Sequence, residues 1–558
     1  MTLIERLRIL LSEFKEEGEI STSGTMMDIS LSLKNLKRIL ILMKYELGFI
    51  QLVDFFVSDN FNRNNPEKRF QAFYILYNFE LGIRSVIKVS FSELDTLPTV
   101  SDIWKNAGWC EFENQKSFNI KFSNLKIENR IDNEIYDGPY LRKDYQPRII
   151  TNEHDRSAPF QPNLYLSQKE MKERSVISVG PQWAHQRGSV RFWFEMEDEI
   201  ICRSAIELGF IHRGIEKVVE NKNANQIFHY VERLNYLCPS ANSILWARAV
   251  EESIEVDIPE RAKAIRMLFL EISRVIDHAR STLSLIERLQ VDVGHIEFKQ
   301  IVSSGERLLG LYSRQKYFQN LVEVGGVRRD TPTGWMGELM EWIRFVERML
   351  FSGQQALISS PFWIEQNQVK GILASEAIEW GLSGPILRSC GVNFDLRRSE
   401  PFYFYQDVDF EIPLGINGTS YDHFLVKMEE MKQSLNILAQ VADNMPVGDF
   451  KTSDPKVALG DGKKIKEGDL GQFARTQRII NIGPVLPEKL TYTSIEAPNG
   501  ELGVALIGQN ASNPYRLKWR GPSLFHLQPF AQWSVGMGLN DAKSFFESLN
   551  ISISEIDR

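Results

Sequence analysis

Histidine, arginine, tyrosine and cysteine fall close together in one stretch of the chain, residues 180–251, each among apolar neighbours. The stretch opens with Gly180-Pro181-Gln182-Trp183-Ala184-His185-Gln186-Arg187-Gly188 and passes through Phe210-Ile211-His212-Arg213-Gly214. It then reaches Arg233-Leu234-Asn235-Tyr236-Leu237-Cys238. Imidazole exchanges a proton near neutral pH, guanidinium holds a fixed positive charge, and a phenol donates to a carbonyl oxygen. A thiol is a soft metal ligand. Polar groups set into apolar sequence in this way mark a site, and the surrounding elements must hold it.

The bulk properties bound what that site can be. At 558 residues the chain is long enough for two or three domains, and 43% hydrophobic residues supply ample core. A net charge of −8 without a long basic block argues against a nucleic-acid partner. Cys110, Cys202, Cys238 and Cys390 lie far apart with no CxxC, which disfavours a disulfide framework and a four-cysteine metal site and fits a reducing cytosol. The opening Met1-Thr2-Leu3-Ile4-Glu5-Arg6-Leu7-Arg8 carries charges through its apolar residues, unlike a signal-peptide core. Apolar runs such as Ile39-Leu40-Ile41-Leu42-Met43 fall short of the ~20 residues a spanning helix needs, so membrane association is expected through partners. No Gly-rich dinucleotide motif is present, so the chain alone is not expected to use a dinucleotide cofactor.

Residues 1–18 read as a short amphipathic helix, and 31–47 as another. Stretches at 51–57, 71–79 and 85–91 are rich in aromatic and branched residues and predict strands of an antiparallel sheet. A polar, proline-containing stretch at 146–176 reads as a linker or extended arm. After residue 200 the helical period is expected to dominate, with long helices at 260–289, 335–350 and 423–442. Residues 446–475 lack periodicity and read as a surface loop; short strands at 502–507 and 515–519 and a helix near 541–549 follow.

Several motifs then accumulate: Ile258-Pro259-Glu260-Arg261-Ala262, Gly325-Gly326-Val327, the run 384–395 followed by Leu396-Arg397-Arg398, Glu496-Ala497-Pro498-Asn499-Gly500-Glu501-Leu502-Gly503, and Ile556-Asp557-Arg558. With residues 210–217 they resemble the D-type subunits of proton-pumping NADH:quinone oxidoreductase (respiratory complex I), relatives of the large subunit of nickel–iron hydrogenases. Residues 30–147 look like the C-type subunits of the same complex, whose two signature positions fall at 98–104 and 138–145. The resemblance implies an α+β fold class. A C-type α+β domain (1–147) and a linker (148–176) would precede a mainly helical D-type domain (177–558) with small β elements. It also implies a peripheral protein on the cytoplasmic side of a bacterial inner membrane. Such a chain supports electron transfer to quinone, coupled to proton translocation, beside a terminal iron–sulfur cluster held by a neighbouring subunit; its partners are the other subunits of the complex.

By resemblance, Tyr236 is the contact to the quinone headgroup, and Arg213, with His212 beside it, is the cation that tunes the neighbour's cluster. The bland alternatives are a core tyrosine and an ion pair of Arg213 with Glu216 or Glu220. The family's loop carries two histidines where this chain has Trp183 and Arg187, and arginine does not exchange protons near neutral pH. His185 lies between them and substitutes only if the loop shifts. The family's partner aspartate falls on Arg288 when counted without gaps and on Asp292 when four residues are inserted. Arg187 and Asp292 thus join Tyr236 as catalytic candidates, and Trp183, His185 and Arg288 as quinone-binding candidates. At the four nickel-ligand positions stand Asn235, Cys238, Ser552 and Glu555, so neither nickel nor a cluster is expected in this chain. A catalytically silent structural component of an energy-converting, hydrogenase-related membrane complex is the other reading.

Overall fold

The structure, a computed structural model, describes residues 3, 5–7, 12, 20–23, 26–61, 68–127, 129–132, 138–146, 175–182, 188–315, 320–460 and 462–558. Most of the helix expected at 1–18 lies outside these residues, as does the linker stretch up to residue 174.

The first sheet contains β1 (Ile20–Ser23), β2 (Met26–Leu31), β3 (Gln51–Asp59), β4 (Phe70–Asn78) and β5 (Ile83–Phe91) in the order β1-β2-β5-β4-β3. The expected antiparallel sheet is in fact mixed, because β2 pairs parallel with β5. Helix α1 (Leu36–Tyr45), between β2 and β3, begins the crossover that lets the chain return to β2 in the same direction. Helix α2 (Ala107–Phe118) covers β3 on one face.

Strand β3 is an edge strand, yet every residue in it is buried. Its outward carbonyls explain this: Val53 accepts from Arg520 Nε (3.0 Å), Val57 from Arg516 Nε (3.2 Å) and Asp59 from the Tyr515 hydroxyl (2.7 Å). Side chains from far down the chain thus cap an edge that would otherwise template aggregation. The first sheet is bonded directly to the helical domain.

The second sheet, ordered β6-β9-β8-β7, contains β6 (Arg130–Asp132), β7 (Ser175–Val179), β8 (Arg191–Glu197) and β9 (Ile200–Leu208). Its strand β9, at 200–208, occupies ground where helix was expected from residue 200, and the other three strands precede that point. The missed signal is the alternation in β8, where Phe192, Phe194 and Met196 point into the core. Helices α3 (Ile215–Val218), α4 (Ala224–Val231), α5 (Pro239–Ile254), α6 (Glu260–Leu289), α7 (His295–Ser313), α8 (Trp335–Ile358) and α9 (Ser420–Asp443) follow. The 30 residues of α6 span about 45 Å.

The expected loop at 446–475 contains a short helix, Gly462–Lys466, and the start of α10 (Leu470–Asn481). Asp469 caps α10 by accepting from the Gly471 and Gln472 N–H groups. This helix turns Leu470, Phe473 and Ile480 outward, which hid it from a search for an inward apolar stripe. Strands β10 (Leu490–Ala497), β11 (Gly500–Ile507) and β12 (Arg516–Arg520) form the third sheet, and α11 (Leu539–Ser548) and α12 (Ile553–Ile556) follow it.

Two cores result. One joins the first sheet to β8, β9 and residues from α11 and α12; the other fills the space between the long helices and the third sheet.

Candidate functional site

Strand β9 ends at Leu208, and a turn over 209–214 leads into α3. Four successive residues of that turn, Phe210, Ile211, His212 and Arg213, line a cavity of about 590 Å³ together with Arg233, Tyr236 and Ser554. Tyr236 comes from the connection between α4 and α5 and is 43% exposed, so it is not a core tyrosine. Ser554, on α12, donates from Oγ to the Leu234 carbonyl at 2.8 Å, which ties the two ends of the helical domain together at the cavity wall.

The cavity is cationic. Arg213 Nη2 donates to the Arg233 carbonyl at 3.0 Å, and burial followed by the nearby Arg233 charge lowers the Arg213 pKa. Arg213 and Arg233 also border a second cavity of about 450 Å³, lined further by Lys222, Gln226, His229 and Tyr230. The two carboxylates that follow Arg213 most closely in sequence are engaged elsewhere: Glu216 by Arg516 and Arg558, and Glu220 by Lys143 and Lys217. Burial lowers the pKa of His212, favouring neutral imidazole, and its ring meets Tyr140 edge-on at 5.5 Å. Tyr140 belongs to the 138–145 signature, so the first domain reaches the cavity wall. Lys217 Nζ strengthens the contact by donating to the Arg142 carbonyl at 2.8 Å.

The other candidates are placed differently. Trp183, His185 and Arg187 lie outside the described residues. The chain re-enters at Gly188, which lies so close to α12 that a Cβ there would sit 2.6 Å from Ile553 Cβ, one residue from Ser554. Arg288 is in the last turn of α6 and donates to Asn540 Oδ1 at 3.4 Å, and Asp292 is exposed just beyond that helix. Neither lines the cavity. By contrast, Arg280 of α6 bonds the Leu237 carbonyl, and Arg288 lies two helical turns, about 12 Å, further on. Sequence reasoning missed Arg233 and Ser554. Arg233 carries no distinguishing local pattern, and the Ser554 contact spans 320 residues.

The four nickel-ligand positions adjoin this site but are differently used. Cys238 is buried, and burial followed by the Asp277 charge pushes its thiol up to about 12. Asn235 Oδ1 accepts from the Leu237 N–H, and Ser552 Oγ bonds Ser554 Oγ. Glu555 Oε2 accepts from Ser523 Oγ at 2.5 Å and Asn499 Nδ2 at 3.1 Å. One protonated thiol, an amide, a hydroxyl and a hydrogen-bonded carboxyl do not fit nickel. Among the described residues, no group of three or more His, Cys, Asp or Glu could hold a metal ion.

Away from the cavity, the helical core holds a closed set of charges. Arg388 pairs with Glu430 (2.7 Å) and Glu496 (2.8 Å), Arg397 with Asp395 (2.7 Å), and Arg274 and Arg397 flank Glu271. Tyr405 and Ser434 each donate to Glu271 at 2.6 Å, and His278 Nε2 meets Glu430 at 2.8 Å. All of these residues are buried.

Comparison with known proteins agrees with this architecture. Residues 29–149 match the family "Respiratory-chain NADH dehydrogenase, 30 Kd subunit" and residues 300–558 match "Respiratory-chain NADH dehydrogenase, 49 Kd subunit", while residues 213–285 match "Nickel-dependent hydrogenase". The matched families thus define a component of a respiratory NADH dehydrogenase. The fused C/D subunit of NADH-quinone oxidoreductase from Bdellovibrio bacteriovorus is 32% identical, with both chains covered in full. The unfused D subunit from Ehrlichia canis is 33% identical and that from Anaplasma marginale 32%, each over 69% of this chain and covering 98% and 96% of their own lengths. The chain belongs to the family of fused NADH-quinone oxidoreductase C/D subunits. No helix among the described residues is long and apolar enough to cross a membrane.

Proposed function

We propose that the cavity around Tyr236 and Arg213 is this chain's share of a quinone chamber. It would face the terminal iron–sulfur cluster of a neighbouring subunit, in a peripheral arm on the cytoplasmic side of a bacterial inner membrane. The observation that carries the reading is the half-exposed Tyr236, set among Phe210, Ile211 and Arg213 at a cavity of about 590 Å³. An apolar wall with one phenol and fixed cations suits a flat ring with polar carbonyl oxygens. Electrons would arrive from the neighbour's cluster, and proton translocation would be coupled elsewhere in the complex.

Tyr236 would donate a hydrogen bond to a headgroup carbonyl. Arg213, poor in carboxylate partners, would hold positive charge next to the cluster and raise its potential, with His212 packed on Tyr140 to fix the turn. Trp183, His185 and Arg187 belong to the loop that re-enters beside α12, and would complete the chamber. Arg187 would bind and orient the headgroup without transferring a proton, which leaves His185 or water as the proton source. Arg288 and Asp292, at and just beyond the end of α6 and outside the cavity, stay in this reading by sequence position alone.

A second reading, a structural component whose site is silent, draws on two observations. The loop histidines are replaced, and neither Arg288 nor Asp292 lines the cavity. Inhibitor-sensitive NADH:quinone reduction by the complex, purified through a tag on this chain, separates the readings. Activity supports the chamber; no activity from an intact complex with reducible clusters supports the silent component.

A further inference from the structure

The turn that supplies four of the cavity's residues is held from outside by two adjacent side chains of the 553–558 segment. Asp557 is buried, and its carboxylate accepts from the Gly209 N–H at 2.9 and 3.0 Å and from the Ile211 N–H at 3.2 Å. Gly209 has φ +94°, a conformation that suits glycine, and its carbonyl accepts from the His212 N–H at 3.4 Å, closing the turn. Beyond the turn, Arg558 Nε donates to Glu216 Oε1 of α3 at 2.7 Å, and its Nη2 reaches both oxygens of Glu113 on α2 at 2.8 and 2.9 Å. One end of the turn is thus tied by Asp557, and the element that follows it by Arg558.

We propose that Asp557 is a positioning residue for the cavity. Its carboxylate clasps the backbone of Gly209 and Ile211, and so sets where His212 and Arg213 stand. It touches no substrate. A carboxylate suits the task because both oxygens accept, whereas a protonated acid or an amide puts a donor against one of the N–H groups. Burial pushes the Asp557 carboxyl up to about 6, since it penalises the anion more than the two N–H groups favour it. The charged side chains facing it are Arg130 and Asp132 of β6, paired with each other at 2.7 Å, while His212 follows in sequence on the clasped turn. The clasp is therefore closed above about pH 6 and loosens below it.

Two measurements test this, and only the second rests on the chamber reading. In the first, amide hydrogen exchange is followed over residues 207–214 of the purified complex, corrected for intrinsic rates. Protection should be present at pH 7.5 and fall through pH 6, and Asp557→Asn should lack it at both pH values. Unchanged protection in the variant, or wild-type protection independent of pH, overturns the clasp. In the second, kcat/KM for a short-chain quinone is compared across the same pH range. Asp557→Asn should lower it about tenfold at pH 7.5, as expected of a misplaced binding group, and remove the wild-type fall below pH 6. If the fall below pH 6 survives in the variant, another group causes it and the positioning role fails. Absence of any quinone reduction in the wild type would sink the chamber reading and leave the exchange result to decide the clasp.

Discussion

Arg274, Arg388 and Arg397 lie in the closed core of the helical domain, and Arg213 and Arg233 lie at an open cavity. Both places combine arginine, tyrosine and histidine. In the core each of these three arginines meets a carboxylate within 3.5 Å, and Tyr405 is spent on Glu271. At the cavity Arg213 bonds a backbone carbonyl, no acid is among the described residues that line the wall, and Tyr236 is 43% exposed. Buried arginines answered by carboxylates specify a fold, while arginines at the mouth of a cavity mark a candidate site. Residue type alone does not separate scaffold from site. Exposure and pairing do.

The sharpest way to break the contrast is on the scaffold side. Arg388→Met leaves Glu430 and Glu496 buried without their shared cation, and breaking such a set costs about 3–5 kcal/mol. The chain should lose most of its denaturant midpoint or fail to accumulate.

The pH dependence of the same core is the next largest effect. Burial pushes the Glu271 carboxyl up, but Arg274 and Arg397, with donations from Ser434 and Tyr405, outweigh it and hold it down at about 2. A depressed acid contributes stability that is complete above its unfolded pKa and is lost as pH falls through the folded one. Glu271 should therefore contribute about 3 kcal/mol at neutrality, withdrawn progressively below about pH 4.5. Unfolding free energy in acid should fall less steeply in Glu271→Gln, against a lower plateau at pH 7.

A smaller effect is expected where the domains join. Arg516→Leu leaves the Val57 carbonyl of the covered edge without its donor and takes a cation from Glu216, for a loss of about 1–3 kcal/mol. The melting temperature should drop, and proteolysis should find β3. The least effect on stability belongs to the cavity itself: Tyr236→Phe should change unfolding free energy by less than about 0.5 kcal/mol, as at other exposed positions.

This contrast also explains what the sequence made legible. The motifs that carried the family resemblance are largely those of the scaffold: Arg397, Glu496 and the run 384–395 meet in the buried charge set, and Gly325 N donates to Glu251 Oε1 at 2.7 Å. Such motifs fix the fold and say little about the site. Helix α6 was legible with both its limits, because a 30-residue apolar period between Pro259 and Gln290 has no competing reading. The β8–β9 hairpin was not, since its alternation is short and borders a helical region. Within the site, His212, Arg213 and Tyr236 were identifiable and do converge on one cavity. Arg233, Ser554 and Asp557 were not, because each acts through a contact spanning between 20 and 348 residues.

The most direct test of the account compares quinone reduction with stability in one variant. The complex carrying Tyr236→Phe is purified, its assembly and melting temperature are recorded, and its inhibitor-sensitive NADH:quinone activity is measured. The account predicts an intact complex with an unchanged melting temperature and activity reduced at least about tenfold, because one directed hydrogen bond to the headgroup is gone. Full activity in the intact variant would contradict it, and Tyr236 would then be only an exposed aromatic beside an idle cavity.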